Sequence, residues 1–486
     1  MRYAAPPTGT LRWQAPRTPA TVAGIQQANA QPNTCLQASS GSSPTTPFHR
    51  SSLKRAAAAA SEDCLFLNVY TPGVLSDRTN KLPVVVWIHG GGYVGGSAGS
   101  FNGDDLIRES NNGVVVVIIQ YRLGVFGFLP GAAVKNNGAL NTGLLDQEFS
   151  LKWVQTHIGK FGGDPTQVTI WGESAGAGSV FQHVIANDGK TTPPLFRGAI
   201  TSSTFLPSQY NFNDPAPEQL YSETLAQTNC STAANSLACL RNVPVATLQN
   251  ANTRIASSSF FGTFIWAPVV DGTFITQRPT VALRQGKVNG KAVLAVTNTF
   301  EGAAFVNANT ASTVQVPDYI GNLFPNFNST ETAAGAAIYR TVGTPLAQAI
   351  GIMGESIFIC PTYYLLRAFS GTSFKGEFAI PPGGHGQDVA YYFTSQNANG
   401  VPQFNNTAFD KAFAQSFLNF ALSLDPNIKS DPSNITPRWN TWATGNTEML
   451  FNKTDAGLPV VTPTATSGQL LDRCDFWEAL GSLSGQ

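Results

Sequence analysis

One stretch constrains this chain more than any other. The run Val168-Thr169-Ile170-Trp171 leads straight into Gly172-Glu173-Ser174-Ala175-Gly176, and residues 177–185 after it read as a helix. A strand that becomes a helix within five residues must turn sharply, which strains the central serine and demands glycines where neighbouring chains close in. The helix would aim its positive N-terminal dipole at an oxyanion formed beside Ser174. A second match to the pattern, Gly95-Gly96-Ser97-Ala98-Gly99, has no strand directly before it and no helix pattern directly after, so in a chain with 46 glycines it reads as an accident. Ser174 is the candidate nucleophile; the alternative is a tight glycine turn without chemistry.

Further apolar, β-branched runs at 65–70, 84–88, 114–121, 199–201 and 292–296 read as buried strands, and a helical pattern over 143–158 precedes the strand at 168–171. Near-continuous hydrophobicity suits strands covered on both faces, so the expected class is α/β with a mostly parallel sheet. Chemistry in such sheets sits in loops leaving the carboxyl ends of strands. There is no internal repeat and no low-complexity linker longer than the Ser/Pro/Ala-rich stretch 39–60, so one continuous domain over 1–486 is expected.

Composition removes other classes. The 29 basic residues cancel the 29 acidic ones, which argues against a nucleic-acid partner, and 42% hydrophobic residues argue against disorder. The longest aliphatic run, 114–119, is far shorter than the ~18 residues that span a bilayer, so no membrane span is expected. Charged residues make up 12%, about half the ~25% usual in soluble domains. Solubility then falls to hydroxyls, amides and glycans, for which Asn229, Asn328, Asn405, Asn434 and Asn452 head Asn-x-Ser/Thr triplets. Six cysteines without a Cys-x-x-Cys pair, and without clustered histidines, read as disulfides rather than a metal site. Disulfides place the protein outside the cytosol, although residues 1–7 lack the apolar core of a signal peptide.

The segment His89-Gly90-Gly91-Gly92-Tyr93 follows the run at 84–88, where backbone N–H groups can meet a developing oxyanion. Without a following Gly-Lys-Ser/Thr it is no phosphate loop. An imidazole base must be one of His49, His89, His157, His183 or His385. His183 lies nine residues past Ser174 on one helix, about 13 Å along the axis, so it cannot reach. His157 belongs to the preceding helix and His89 opens the glycine loop, and the chain order serine, acid, histidine leaves His385 in the segment 382–388. Among the carboxylates between serine and histidine are Asp271, Asp318, Glu301, Glu331, Glu355 and Glu377. Glu301 follows the strand at 292–296 and so suits the orienting acid, but spacing alone leaves the others open.

At these residues the chain resembles the type-B carboxylesterase/lipase family, α/β-hydrolases that include cholinesterases and fungal secreted lipases. The likeness runs nearly end to end through Glu62-Asp63-Cys64-Leu65-Phe66-Leu67-Asn68, the His89 glycine loop, Tyr121-Arg122-Leu123-Gly124, Asn141-Thr142-Gly143-Leu144-Leu145-Asp146-Gln147, Phe161-Gly162-Gly163-Asp164-Pro165 and the Ser174 turn. It implies an α/β-hydrolase fold in one domain and a triad of Ser174, Glu301 and His385. It further implies an oxyanion hole from the N–H groups of Gly91, Gly92 and Ala175, and no metal or organic cofactor. The family's two common disulfide loops imply Cys35–Cys64 and Cys230–Cys239, which leaves Cys360–Cys474 by elimination. Two departures stand out. Phe300 precedes the acid where the family usually has another acidic residue, and the segment 2–7 resembles one that normally follows an amino-terminal hairpin and, in secreted members, a signal peptide, so a trimmed start is expected.

The resemblance implies a secreted serine carboxylesterase acting on a small-molecule ester. A triacylglycerol lipase is the nearest alternative, and a non-catalytic adhesion or binding protein on the same fold the alternative of another class. The loop closed by Cys35 and Cys64 covers the gorge in this family. Here residues 36–63 hold no Trp, Phe48 as the only aromatic, and Leu36 and Leu53 as the only large aliphatics. So polar a cover offers little area to a lipid surface and no aromatic ring to a choline ammonium, which points to soluble esters of small to medium acyl chain. Phe264, with its neighbours in 260–266, is the expected acyl-side wall, and Gly262 suggests a roomy pocket.

Overall fold

The computed structural model describes residues 1–45, 60–73, 81–395 and 400–486. His49, Phe48 and Leu53 lie outside the described residues. Nine strands form one sheet: β1 Leu67–Tyr70, β2 Leu82–Ile88, β3 Val115–Ile119, β4 Gly163–Glu173, β5 Gly198–Ser202, β6 Ala292–Asn298, β7 Ser373–Phe378, β8 Thr447–Lys453 and β9 Pro459–Ala465. Their order is β1-β3-β2-β4-β5-β6-β7-β8-β9. From β3 to β8 all neighbours are parallel, and only the outermost pairs, β1 with β3 and β8 with β9, are antiparallel.

Six helices matter below: α1 Thr142–His157, α2 Ala175–Ile185, α3 Pro345–Gly354, α4 Cys360–Ala368, α5 Thr407–Ser423 and α6 Gly468–Ala479. The strands read as continuous apolar runs because both faces are covered. Val84, Val86 and Ile88 of β2 pack into one core with Leu151 of α1 and Val180 of α2. Val85 and Trp87 face the other core, where Trp87 and Trp171 pack with Tyr392, and Trp171 stacks on Phe417 of α5. Each such buried aliphatic is worth about 1.5–3 kcal/mol relative to exposure. This two-faced sheet is the α/β-hydrolase architecture.

Helix Pro345–Ala368, which includes α3 and α4, is long and apolar enough to cross a bilayer by length and composition, yet 83% of its most apolar window is buried in the protein core. The edges of the sheet are also covered or interrupted. Residues 1–3 pair with residues 65–67 at the start of β1, with Leu67 N–H donating to Met1 O at 2.8 Å and Tyr3 N–H to Leu65 O at 3.2 Å. The outer strand β9 carries Pro459 and Pro463.

Cysteines 35 and 64, 230 and 239, and 360 and 474 are bonded in pairs. Of the glycosylation triplets, Asn229, Asn328 and Asn405 are exposed. Asn434 is buried, and its amide donates to Gln415 Oε1 at 3.1 Å.

Candidate active site

The loops after β2, β4, β6 and β7 meet above the carboxyl end of the sheet. After β4, Ser174 turns the chain with φ 55° and ψ −125°, a conformation that L-residues rarely hold, and α2 begins at the next residue. Two contacts fix the turn: Ser174 N–H donates to Ser202 O at 2.9 Å, and Gly178 N–H donates to Ser174 O at 2.8 Å. The flanking glycines are steric necessities. A Cβ on Gly176 would lie 2.0 Å from the Ile88 carbonyl oxygen, and one on Gly172 would lie 2.3 Å from the Gly176 carbonyl carbon.

The glycine loop after β2 presses against this turn. A Cβ on Gly90 would fall 2.7 Å from Glu173 O and 3.0 Å from Ser174 Cβ. Gly91 and Gly92 have φ of 98° and 62°, and a Cβ on Gly92 would enter the Phe264 ring at 2.1 Å. Their N–H groups and that of Ala175, at the start of α2, are the expected oxyanion donors.

Glu301 begins a short helical turn after β6 and is fully buried. Its Oε2 accepts from His385 Nδ1 at 2.6 Å. Its Oε1 accepts from Ser203 Oγ and from Asn298 N–H, both at 2.7 Å, so the carboxylate cannot swing. Of the other carboxylates open on spacing, Asp271 pairs with Asn141, and Glu355 with Arg473, away from the imidazole.

The remaining histidines are engaged elsewhere. His89 is buried, stacked on Tyr121 and bonded through Nδ1 to Gly90 O, and burial pushes it down to about 4. His183 is buried against Gln147, with burial pushing it down to about 3. His157 packs on Trp153. Ser97 lies in a loop capped by a short 3-10 turn, its Oγ 3.3 Å from Ser100 Oγ.

Sequence reasoning missed several neighbours. Glu173 Oε1 lies 3.3 Å from His385 Nε2, so the ring stands between two carboxyl groups, Glu301 fully buried and Glu173 nearly so. Burial pushes the Glu173 pKa up to about 8, against the opposing pull of the His385 charge. Asp388 accepts from Asn298 Nδ2 at 3.1 Å and from Tyr392 Oη at 3.0 Å. Burial depresses the His385 imidazole, but the Glu301 hydrogen bond and the charges of Glu301, Glu173 and Asp388 outweigh it and raise its pKa above the ordinary value. Glu173 is the variable position of the serine motif and Asp388 closes the segment 382–388, so both were in view without a signal of their role.

Beside this cluster lies an apolar cavity of about 360 Å³. Phe205, Phe264, Phe305 and Phe358 close a ring on its inner wall, with successive centroids 5.2–6.0 Å apart. Phe305 and Phe358 also touch the His385 ring, at 4.9 and 4.5 Å. Gly262 lines the cavity, but its small size answers a backbone contact: a Cβ there would lie 2.0 Å from Phe305 O.

Comparison with known proteins gives one consistent likeness. A model of the carboxylesterase family matches residues 1–477. Secreted lipase 1 of Botryotinia fuckeliana is 31% identical, over 91% of this chain and 83% of its own. Carboxylesterase patB of Aspergillus clavatus is also 31% identical, over 86% of this chain and 76% of its own. The crystal structure of Aspergillus niger EstA superposes with a TM-score of 0.86 at 30% identity, covering 100% of this chain and 94% of that one.

Proposed function

The chain belongs to the carboxylesterase family, and from that premise we propose that Ser174, His385 and Glu301 act as nucleophile, base and orienting acid. Membership makes the protein a serine hydrolase of carboxylic esters, with small-molecule esters as substrates. The observation that carries the residue assignment is the 2.6 Å contact between His385 Nδ1 and Glu301 Oε2, next to the strained serine turn.

With Nδ1–H donated to Glu301, the imidazole keeps the tautomer whose Nε2 takes the Ser174 proton. Ser174 Oγ attacks the ester carbonyl, and the oxyanion is received by the N–H groups of Gly91, Gly92 and Ala175. The alcohol leaves with the proton from His385. Water deprotonated by the same ring then attacks the acyl-enzyme and frees the acid. A fluorophosphonate should label Ser174 stoichiometrically; an unlabelled, folded protein would instead favour a non-catalytic binding role.

The acyl chain is proposed to enter the phenylalanine-walled cavity past Phe264, and the preferred substrates to be soluble esters of small to medium acyl chain. The loop closed by Cys35–Cys64 supports this. Its first limb is tied down, with Gly41 N–H donating to Thr263 O at 2.8 Å, Ser43 N–H to Ser259 O at 2.9 Å and Gly262 N–H to Gly41 O at 3.0 Å. A triacylglycerol lipase is the second reading, favoured by the apolar cavity and by the lipase relatives. The three disulfides and the secreted relatives support secretion, and the single nine-stranded sheet supports one domain.

A further inference from the structure

Helices α3 and α4 are joined by a π-helical turn, Glu355–Ile359. Such a turn inserts a residue into the repeat, so the side chains beyond it are rotated about 100° from where an unbroken α-helix would carry them. Phe358 sits in this turn, with its ring 4.5 Å from His385, and Ile357 and Phe358 both line the cavity. Just before the turn, α3 backs the loop of the acid. A Cβ on Gly302 would lie 2.0 Å from Ile350 O and 2.7 Å from Gly354 N. One helical rod therefore bears on both His385 and the Glu301 loop.

The turn is pinned at its two ends by adjacent residues of α6. Glu355, its first residue, receives Arg473 Nε and Nη2 at 2.7 Å each, and Tyr339 Oη at 2.7 Å. Tyr339 Oη in turn accepts from Trp477 Nε1 at 2.8 Å. Cys360, the first residue past the turn, is bonded to Cys474, next to Arg473. Inside the turn, Ser356 O accepts from Gln486 Nε2 at 2.7 Å and Ile357 O from Leu206 N–H at 2.9 Å. A buried ion pair is often replaceable by apolar groups of equal volume at no loss of stability. Its bidentate geometry suits fixing a register.

We propose that Arg473 and Glu355 are positioning residues: they hold the π-turn in the register that sets Phe358 against His385 and shapes the cavity wall, and so set acyl-chain preference. The proposal rests on the triad and acyl-cavity reading above. The test compares the wild type with R473K and the apolar pair E355M/R473M on p-nitrophenyl acetate and hexanoate, with thermal midpoints. In the apolar pair the hexanoate-to-acetate ratio of kcat/KM is expected to fall about tenfold, mainly through KM for hexanoate, together with a lowered midpoint, because the buried Tyr339 hydroxyl loses its acceptor. R473K should shift the ratio part of the way. A purely structural role would move the midpoint and leave the ratio alone; that result in any folded variant, or failure of every variant to fold, overturns the proposal. Fluorophosphonate labelling of the wild type runs alongside. No label on Ser174 brings down the triad reading, whereas label with an unmoved ratio brings down the positioning role alone.

Discussion

Glu173 Oε1 lies 3.3 Å from His385 Nε2, on the opposite side of the imidazole from Glu301. The charges of Glu301, Asp388 and Glu173 favour the imidazolium, and with the Glu301 hydrogen bond they hold the His385 pKa up at about 9, a pH at which Glu173, with its own pKa raised only to about 8, is ionised. A base must be neutral to work, so kcat/KM should be present above the raised pKa and fall away as pH drops through it. Glu173→Gln removes one of those carboxylates and should move the acid limb to lower pH. A pH profile of kcat/KM checks this, and a limb that stays put or moves upward would contradict it.

Ser174→Ala should lower ester turnover by about 10⁴-fold or more, and His385→Ala comparably, because triad members act as a unit. Ser97→Ala should leave turnover nearly intact. Initial rates on a chromogenic ester decide between the two serines: a dead Ser97 variant beside an active Ser174 variant would reverse the assignment.

Substrate titration separates the esterase from the lipase reading. Butyl and hexyl esters should outpace acetylcholine, and a long-chain triglyceride should show no jump in rate as it passes into emulsion. A jump would mean that the Cys35–Cys64 loop opens on lipid after all.

Gly176→Ala should cost about 3 kcal/mol of stability, the range of an overpacked core, because its Cβ would meet the Ile88 carbonyl. Denaturant midpoints measure this. A loss below about 1 kcal/mol would show that the turn and β2 can move apart.

Denatured, unreduced protein should titrate no free thiol. The bridge between Cys360 and Cys474 closes the longest loop, 114 residues apart, and in the chain-entropy model a loop of about 100 residues is worth about 4.7 kcal/mol. Two titrating thiols would remove it.

The parts legible in the sequence were those whose residues have one use. A β-branched run read as a strand wherever both faces were buried, as in β2, β3 and β6, and the serine turn was legible because its glycines are steric requirements. The strands β7, β8 and β9 were not read. In β7 the pattern is broken by Lys375, fully buried with Glu448 of β8, and β9 carries two prolines, which argue against a strand. Glu301 could not be separated by spacing from other carboxylates such as Asp271 and Glu355, since what distinguishes it is the contact with His385 across 84 residues of sequence. The phenylalanine ring draws on four separate segments, and only Phe264 was in view.

The covered edges of the sheet have a consequence for the chain in concentrated solution. An open edge strand is a template on which a second molecule can pair, and proteins commonly block it with charge. This chain, with 12% charged residues, uses other means: residues 1–3 cap the start of the short edge strand β1, and Pro459 and Pro463 break the row of donors on the other edge. Either edge of the folded sheet is thus a poor template for a second strand. The hazard passes to the unfolded chain, where Val114-Val115-Val116-Val117-Ile118-Ile119 is an uncharged, β-branched hexapeptide of the kind that stacks into amyloid, and which only the intact sheet keeps out of reach.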